Sequence, residues 1–216
     1  MIVAEFVFVA VIGYLMGAIP FALIISKLMG GIDISKHGSG NLGGTNVLRV
    51  LGFKAGAITM ALDIAKAFVP VLLAKFIIGD GVLPVAGFVL NWQWGQVITA
   101  LMVMVGHSWS VYIKFRGGKG AAAYFGGWFA IWPVAALVGG AILILTVWLS
   151  RYMALGSILS LLGVVCLVMV LTVFDVSSPV YLIYSIVAAA LIVYQHRSNI
   201  SRLQAGTESR MGLGRE

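Results

Sequence analysis

PVAALVGGAILILTVWLSRYMALGSILSLLGVVCLVMVLTV, residues 133–173, decides the fold class. Its single charge, Arg151, divides two apolar runs. Crossing a hydrocarbon core takes about 20 apolar residues in a helix, and each run approaches or reaches that length. Neither alternates apolar and polar residues with a period of two, which argues against barrel strands. Backbone polar groups in lipid must pair internally, so each run reads as a helix. The rest of the chain agrees. Hydrophobic residues make up 61% of the 216 and charged residues 10%, with a mean hydropathy of +1.07. A soluble domain of this length would need more charge to cover its surface.

The chain reads as an all-α polytopic membrane protein of about seven transmembrane helices. They are expected near 2–26, 55–78, 93–112, 121–132, 133–149, 152–173 and 179–195. No internal repeat is evident, and 1–216 reads as one membrane-embedded domain. The first run carries Glu5 instead of basic residues at its start and lacks a small-residue cleavage site, so it reads as a span and not as a cleaved signal peptide. Cys166, the only cysteine, sits inside an apolar run, leaving no disulfide framework or thiolate metal site.

Basic residues set the expected orientation. Lys27, Lys36, Arg49 and Lys54 follow the first span, Lys114, Arg116 and Lys119 the third, and Arg197, Arg202, Arg210 and Arg215 the last; Arg151 precedes the sixth. The connections near 79–92 and 174–178 hold no Lys or Arg. Positive charge favours the cytoplasmic side, so the N-terminus is expected outside, and the basic connections and C-terminus inside. Lys119 and Arg151 then lie on the same side, which requires a turn within 121–149, and Trp132-Pro133 is the natural break. Each arm is short, so a partly re-entrant pair is the alternative to two full crossings. Asp63 and Lys66, three residues apart within the second span, are expected to pair inside the bundle. The polar tail after residue 200 is expected on the cytoplasmic surface.

Four polar motifs fall on that one face. The first runs Lys36, His37, Gly38, Ser39, Gly40, Asn41, Leu42, Gly43, Gly44, Thr45, Asn46, Val47, Leu48, Arg49. Glycines let backbone approach a ligand closely. Exposed N–H groups, the side chains of Ser39, Asn41, Thr45 and Asn46, and Arg49 together suit a phosphate dianion. A helix starting near Thr45 would add further N–H donors. Gly38, Gly40 and Gly43 match a dinucleotide-binding spacing only formally, because no strand precedes them. The second motif is Gly106-His107 with Lys114, Phe115, Arg116, Gly117, Gly118, Lys119 and Gly120. It is no P-loop, since Gly120 stands where Ser or Thr is required, yet its glycines and ammonium group suit a second phosphate. The third is Arg151-Tyr152 with Gly156-Ser157, and the fourth is His196-Arg197-Ser198-Asn199-Ile200. Small residues also serve helix packing, and terminal Lys and Arg also serve as topology anchors. Polar side chains beside the bases on one face favour a shared site over those roles.

The same face offers only Asp33, Glu208 and Glu216 as acids, unclustered, with Asp63 buried nearby. Mg²⁺ prefers carboxylate and water oxygens, so no metal or other cofactor is expected. None of His37, His107 and His196 has Asp or Glu five positions on. The His-x4-Asp signature of soluble-donor glycerolipid acyltransferases is therefore absent, which points to a donor with a better leaving group than a thioester.

These motifs resemble the bacterial acyl-phosphate:glycerol-3-phosphate acyltransferase family, PlsY. The resemblance rests on GSGNLGGTNVLRVLG at 38–52, GHSWSVYIKFRGGKG at 106–120, RYMALGS at 151–157 and HRSNISRLQAGTE at 196–208. It covers essentially the whole chain. Departures are Gly44 where Ala is usual, Ser110 where Pro is usual, and Ala121-Ala122-Ala123 in place of a Val-Ala-Thr type run.

The resemblance implies transfer of a fatty acyl group from acyl phosphate to the 1-hydroxyl of sn-glycerol 3-phosphate. The products would be lysophosphatidic acid and inorganic phosphate, formed for phospholipid synthesis at the inner face of the bacterial cytoplasmic membrane. It implies catalytic roles for Ser39, Arg49, Lys119, His196 and Asn199, with Ser157 beside them at the glycerol 3-phosphate site. Gly43, Gly44, Thr45 and Asn46 with Gly117 and Gly118 would hold the acyl phosphate, and Asn41 and His107 complete the substrate-binding set. The hydroxyl proton would go to His196 or to a substrate phosphate; with no oriented His–carboxylate dyad evident in the sequence, the phosphate is favoured. Membrane lipid is the expected surrounding partner, nucleic acid is not a partner, and the chain is expected to be a monomer. A membrane transporter or channel for phosphate or organophosphate is the competing class. Transporter sites tend to lie at the membrane midplane between repeats, whereas these motifs share one face and no repeat is visible.

Overall fold

The computed structural model describes residues 1–212; Arg215 and Glu216, assigned above to the cytoplasmic face, lie outside the described residues. The chain divides into two compact units, Met1–Trp132 and Pro133–Glu216.

The first unit contains α1 (Ile2–Gly17), α2 (Phe21–Gly30), α3 (Gly44–Leu51), α4 (Phe53–Ile78), α5 (Trp92–Ser108) and α6 (Ala121–Ile131), with short 3-10 turns at Ile34–Lys36 and Val111–Ile113. The expected single helix over 2–26 is therefore corrected to two. Pro20 has no N–H and its ring cannot continue the helix, so the chain breaks over 18–20 and α2 runs on to Gly30. Two side chains from elsewhere receive the freed carbonyls: Lys66 Nζ donates to Ile19 O at 2.8 Å, and Ser110 Oγ donates to Ala18 O. Ser110 thus uses the very hydroxyl that distinguishes it from the usual proline. The third helix is also shorter than expected, ending at Ser108 and not 112. Between α4 and α5 the chain forms a hairpin, β1 (Leu83–Val85) with β2 (Phe88–Leu90), which the hydropathy pattern did not signal. Its turn residues Ala86 and Gly87 both have positive φ, 48° and 86°, the geometry of a type I′ turn.

Lipid is as apolar as leucine, so helices in a membrane associate through close packing more than through expulsion of water. That explains where the glycines fall. Gly17 on α1 lies so close to the Val103 backbone of α5 that a Cβ would collide with it, and Gly106 on α5 lies equally close to Tyr14 of α1. Gly126 of α6 rests in the same way on the Ile64 carbonyl of α4. One buried cluster, Ala22, Ile25, Ile34, Leu42, Val47 and Ala55, underlies the first motif; another, Phe6, Val9, Ala74 and Ile78, sits by the hairpin.

The second unit contains α7 (Pro133–Ser150), α8 (Met153–Val173), α9 (Pro179–Gln195) and α10 (Arg197–Gln204). The expected break at Trp132-Pro133 is observed, with α6 ending at Ile131 and α7 opening on Pro133. Gly156 and Gly163 of α8 pack on Val147, Leu143 and Ile142 of α7.

Among the described residues, three segments are long and apolar enough to cross a membrane: Ile2–Gly30 with its break, Pro133–Ser150 and Met153–Val173. A fourth is possible by length and composition if Pro179–Gln195 and Arg197–Gln204, bent by 62°, count as one. At 11 residues, α6 is too short for a normal crossing.

Candidate active site

In the first unit the first motif is a loop wound around one side chain. Asn46, buried on the first turn of α3, accepts a hydrogen bond from Ser39 N at 2.9 Å through Oδ1. Its Nδ2 donates to His37 O at 3.0 Å, Asn41 O at 3.1 Å and Ile34 O at 3.4 Å. Gly38 and Gly40 have φ of 59° and 69°, the left-handed region that a side chain disfavours, and these turns fold the loop back onto Asn46. Leu42 and Ile34 anchor it below. The helix starts at Gly44, one residue before the expected Thr45, with Gly43 as its cap. The N–H groups of Gly44 and Thr45 accordingly have no partner within the helix. Asn41 and Thr45 are half-buried, while Ser39 and Arg49 are exposed. Gly44 leaves room for Met60, whose side chain a Cβ would displace. At the loop's start, hydrogen bonds from the Ser35 hydroxyl (2.7 Å) and N–H (3.1 Å) hold the Asp33 carboxyl below its ordinary range.

The second motif abuts the first. Gly118 N donates to His107 O at 3.0 Å, and Gly117 lies against the same carbonyl and the Ser108 backbone. Where Gly118 would carry a Cβ, the Leu42 carbonyl of the first loop stands 3.0 Å away and the His107 Nε2 closer still. Any side chain there would drive the two loops apart. The loop is closed by Ser110 N donating to Arg116 O at 3.1 Å, with Lys114 and Phe115 both at positive φ, 58° and 57°. Lys119 follows, half-buried, just ahead of α6.

Beneath this loop pair lies a buried ionic cluster. The expected Asp63–Lys66 pair forms, with Nζ to Oδ1 at 2.8 Å. His107 joins it, its Nδ1 3.6 Å from the same carboxylate oxygen. All three are almost inaccessible, at 1%, 5% and 6% exposure for Asp63, Lys66 and His107. Sequence reasoning found the pair but not its third member, because α4 and α5 bring Asp63 and His107 together across a long stretch of chain.

The second unit gathers the third and fourth motifs. Ser157 is buried, its Oγ donating to Met153 O at 2.9 Å. His196 caps the junction of α9 and α10, with Nδ1 on Ile192 O at 2.9 Å. Asn199 Nδ2 donates to Glu208 Oε1 at 2.8 Å, and Arg202 Nε donates to Glu208 Oε2 at 2.7 Å. The chain reverses after α10 through Thr207 N to Arg202 O. Arg210 Nε then donates to the Tyr152 hydroxyl at 3.0 Å, and Met211 N donates to Arg151 O at 2.7 Å. Glu208, unclustered in the sequence, gains its partners through the turn at Gly206 (φ 69°), the one sequence signal of its return to α10.

The chain matches the family model described as glycerol-3-phosphate acyltransferase over residues 7–206. It is 39% identical over 211 residues to glycerol-3-phosphate acyltransferase 3 of Dehalococcoides mccartyi, covering 98% of each chain. It is 42% identical over 206 residues to the glycerol-3-phosphate acyltransferase of Thermoanaerobacter sp., covering 95% of this chain and 96% of that one. Its fold superposes with a TM-score of 0.82, at 36% identity and 96% coverage of both chains, on the crystal structure of PlsY (YgiH), an integral membrane glycerol 3-phosphate acyltransferase, in its glycerol 3-phosphate form. The lysophosphatidic acid form of that protein gives a TM-score of 0.81.

Proposed function

The chain belongs to the glycerol-3-phosphate acyltransferase family, and on that premise we propose that it acylates the 1-hydroxyl of glycerol 3-phosphate with acyl phosphate as donor. The hydroxyl oxygen attacks the acyl carbonyl carbon. The carbon–oxygen bond to phosphate breaks, inorganic phosphate leaves with the hydroxyl proton, and lysophosphatidic acid remains in the membrane. The observation that carries this reading is the pair of glycine loops, 38–46 and 117–118, meeting where Gly118 faces the Leu42 carbonyl. Two phosphate-bearing substrates need two adjacent sets of backbone donors, and holding them in line supplies much of the rate through proximity.

Within that reading, Arg49 grips a phosphate bidentately and Lys119 acts as a point charge. Ser39, Ser157, His196 and Asn199 bind and orient glycerol 3-phosphate on the strength of the family correspondence, and Glu208 holds the Asn199 amide. Backbone N–H groups at Gly44 and Thr45, with that of Gly117, face the donor phosphate and the developing oxyanion. The acyl tail lies in lipid or between helices. The protein is a bacterial membrane protein; we propose seven spans, an outside N-terminus, an active face toward the cytoplasm and one acyltransferase domain acting as a monomer. Coverage of 7–206 by one family model supports the single domain.

Purified protein given acyl phosphate and glycerol 3-phosphate should release inorganic phosphate in step with lysophosphatidic acid. It should show no turnover with acyl-CoA or acyl carrier protein. Efficient use of acyl-CoA without any converting enzyme would overturn the donor assignment.

A further inference from the structure

We infer that Asp63 is a positioning residue for the donor loop and that it acts through His107. The inference rests on the reading of the 117–118 loop as part of the acyl phosphate site. An Asp63–Lys66 pair alone would suffice to neutralise two charges at membrane depth, and Lys66 is already committed to Asp63 and to the Ile19 carbonyl. The imidazole is an additional member, standing between the carboxylate and the loop. Its Nδ1 edge faces Asp63 Oδ1 at 3.6 Å, and its Nε2 edge borders Gly118. The backbone of the same residue receives the Gly118 N–H at 3.0 Å. His107 therefore holds the loop by its carbonyl and lines it by its ring, while the carboxylate sets which edge of the ring the loop meets. A carboxylate behind an imidazole commonly fixes ring orientation in this way. The 3.6 Å separation exceeds a hydrogen bond, and such contacts often tighten only when substrate binds. The group presented to Nε2 is the phosphoryl or carbonyl oxygen of the acyl phosphate.

The full-length protein reconstituted in lipid tests this through separate KM values for the two substrates. In His107→Asn the amide still reaches toward Asp63 but not to Gly118; in His107→Gln it reaches the Nε2 position. His107→Asn should raise the donor KM about tenfold, the size of one lost polar contact, and leave the glycerol 3-phosphate KM unchanged. His107→Gln should recover most of that loss. The charge-balanced pair Asp63→Asn with Lys66→Gln, whose amide keeps a donor on the side of the Ile19 carbonyl, should raise the donor KM alone, and adding His107→Asn to it should cost little more, because the two act as one unit. Unchanged donor KM in folded variants would overturn the inference. So would a parallel rise of both KM values with a lowered unfolding temperature, the signature of packing damage. A wild-type protein inactive on acyl phosphate would instead refute the functional reading itself, before any variant is made.

Discussion

At the scale of single residues, charge and shape separate binding groups from framework. Arg49 is exposed beside the first loop and Lys119 is half-buried beside the second. Removing one partner of a charge-assisted contact costs roughly 1.5–3 kcal/mol, so Arg49→Ala and Lys119→Ala should each lose at least about tenfold in turnover efficiency. Arg49→Lys should be nearly as poor, since an ammonium group cannot reproduce the guanidinium fork. His196→Asn should keep partial activity, because an amide can still donate to Ile192 O as Nδ1 does, and in the proposed mechanism the proton leaves on a substrate phosphate. Turnover measured on monodisperse, folded variants decides among these. Full activity in both alanine variants would remove the site, and complete loss in His196→Asn would make histidine the base.

At the scale of elements, the fold depends on how closely backbones approach. Gly17→Ala would press a methyl group into the Val103 backbone of α5. Overpacking of that kind costs about 1–3 kcal/mol, so the variant should unfold at a lower temperature in detergent. Gly140 on α7 has open space where its Cβ would stand. Gly140→Ala should therefore be neutral or gain up to about 1 kcal/mol from helix propensity. Equal thermal shifts for the two would show that interhelical contact is not what the α1–α5 glycines provide.

At the scale of the whole molecule, the charge distribution and the scarcity of acids make two predictions. With Cys166 replaced by Ser, Lys36→Cys and Lys114→Cys should react with a membrane-impermeant maleimide only in inside-out vesicles, and Asp80→Cys only in intact cells. The reverse pattern would invert the proposed orientation. Among the described residues no three of His, Cys, Asp and Glu come together, so activity should survive excess EDTA; loss with specific rescue by Mg²⁺ would reveal a metal requirement.

From its sequence alone the chain is helical and membrane-embedded, with a break at Trp132-Pro133 and polar connections whose residue types suit phosphate. These are local properties: each apolar run must pair its own backbone in lipid, the Pro133 ring opens a new helix more readily than it continues the one before it, and glycine loops with adjacent bases suit an anion wherever they fold. Tertiary contact is what assigns Lys66 and Ser110 as donors to the carbonyls at the α1–α2 break, and what forms the clasp of Glu208 on Asn199 and Arg202. It alone set Asp63 behind His107 and Gly118 against Leu42. Most of these contacts join residues distant in sequence, and the Glu208 clasp depends on a chain reversal. No hydropathy period encodes them, and they exist because packed helices and folded loops bring separate polar groups within reach of one another.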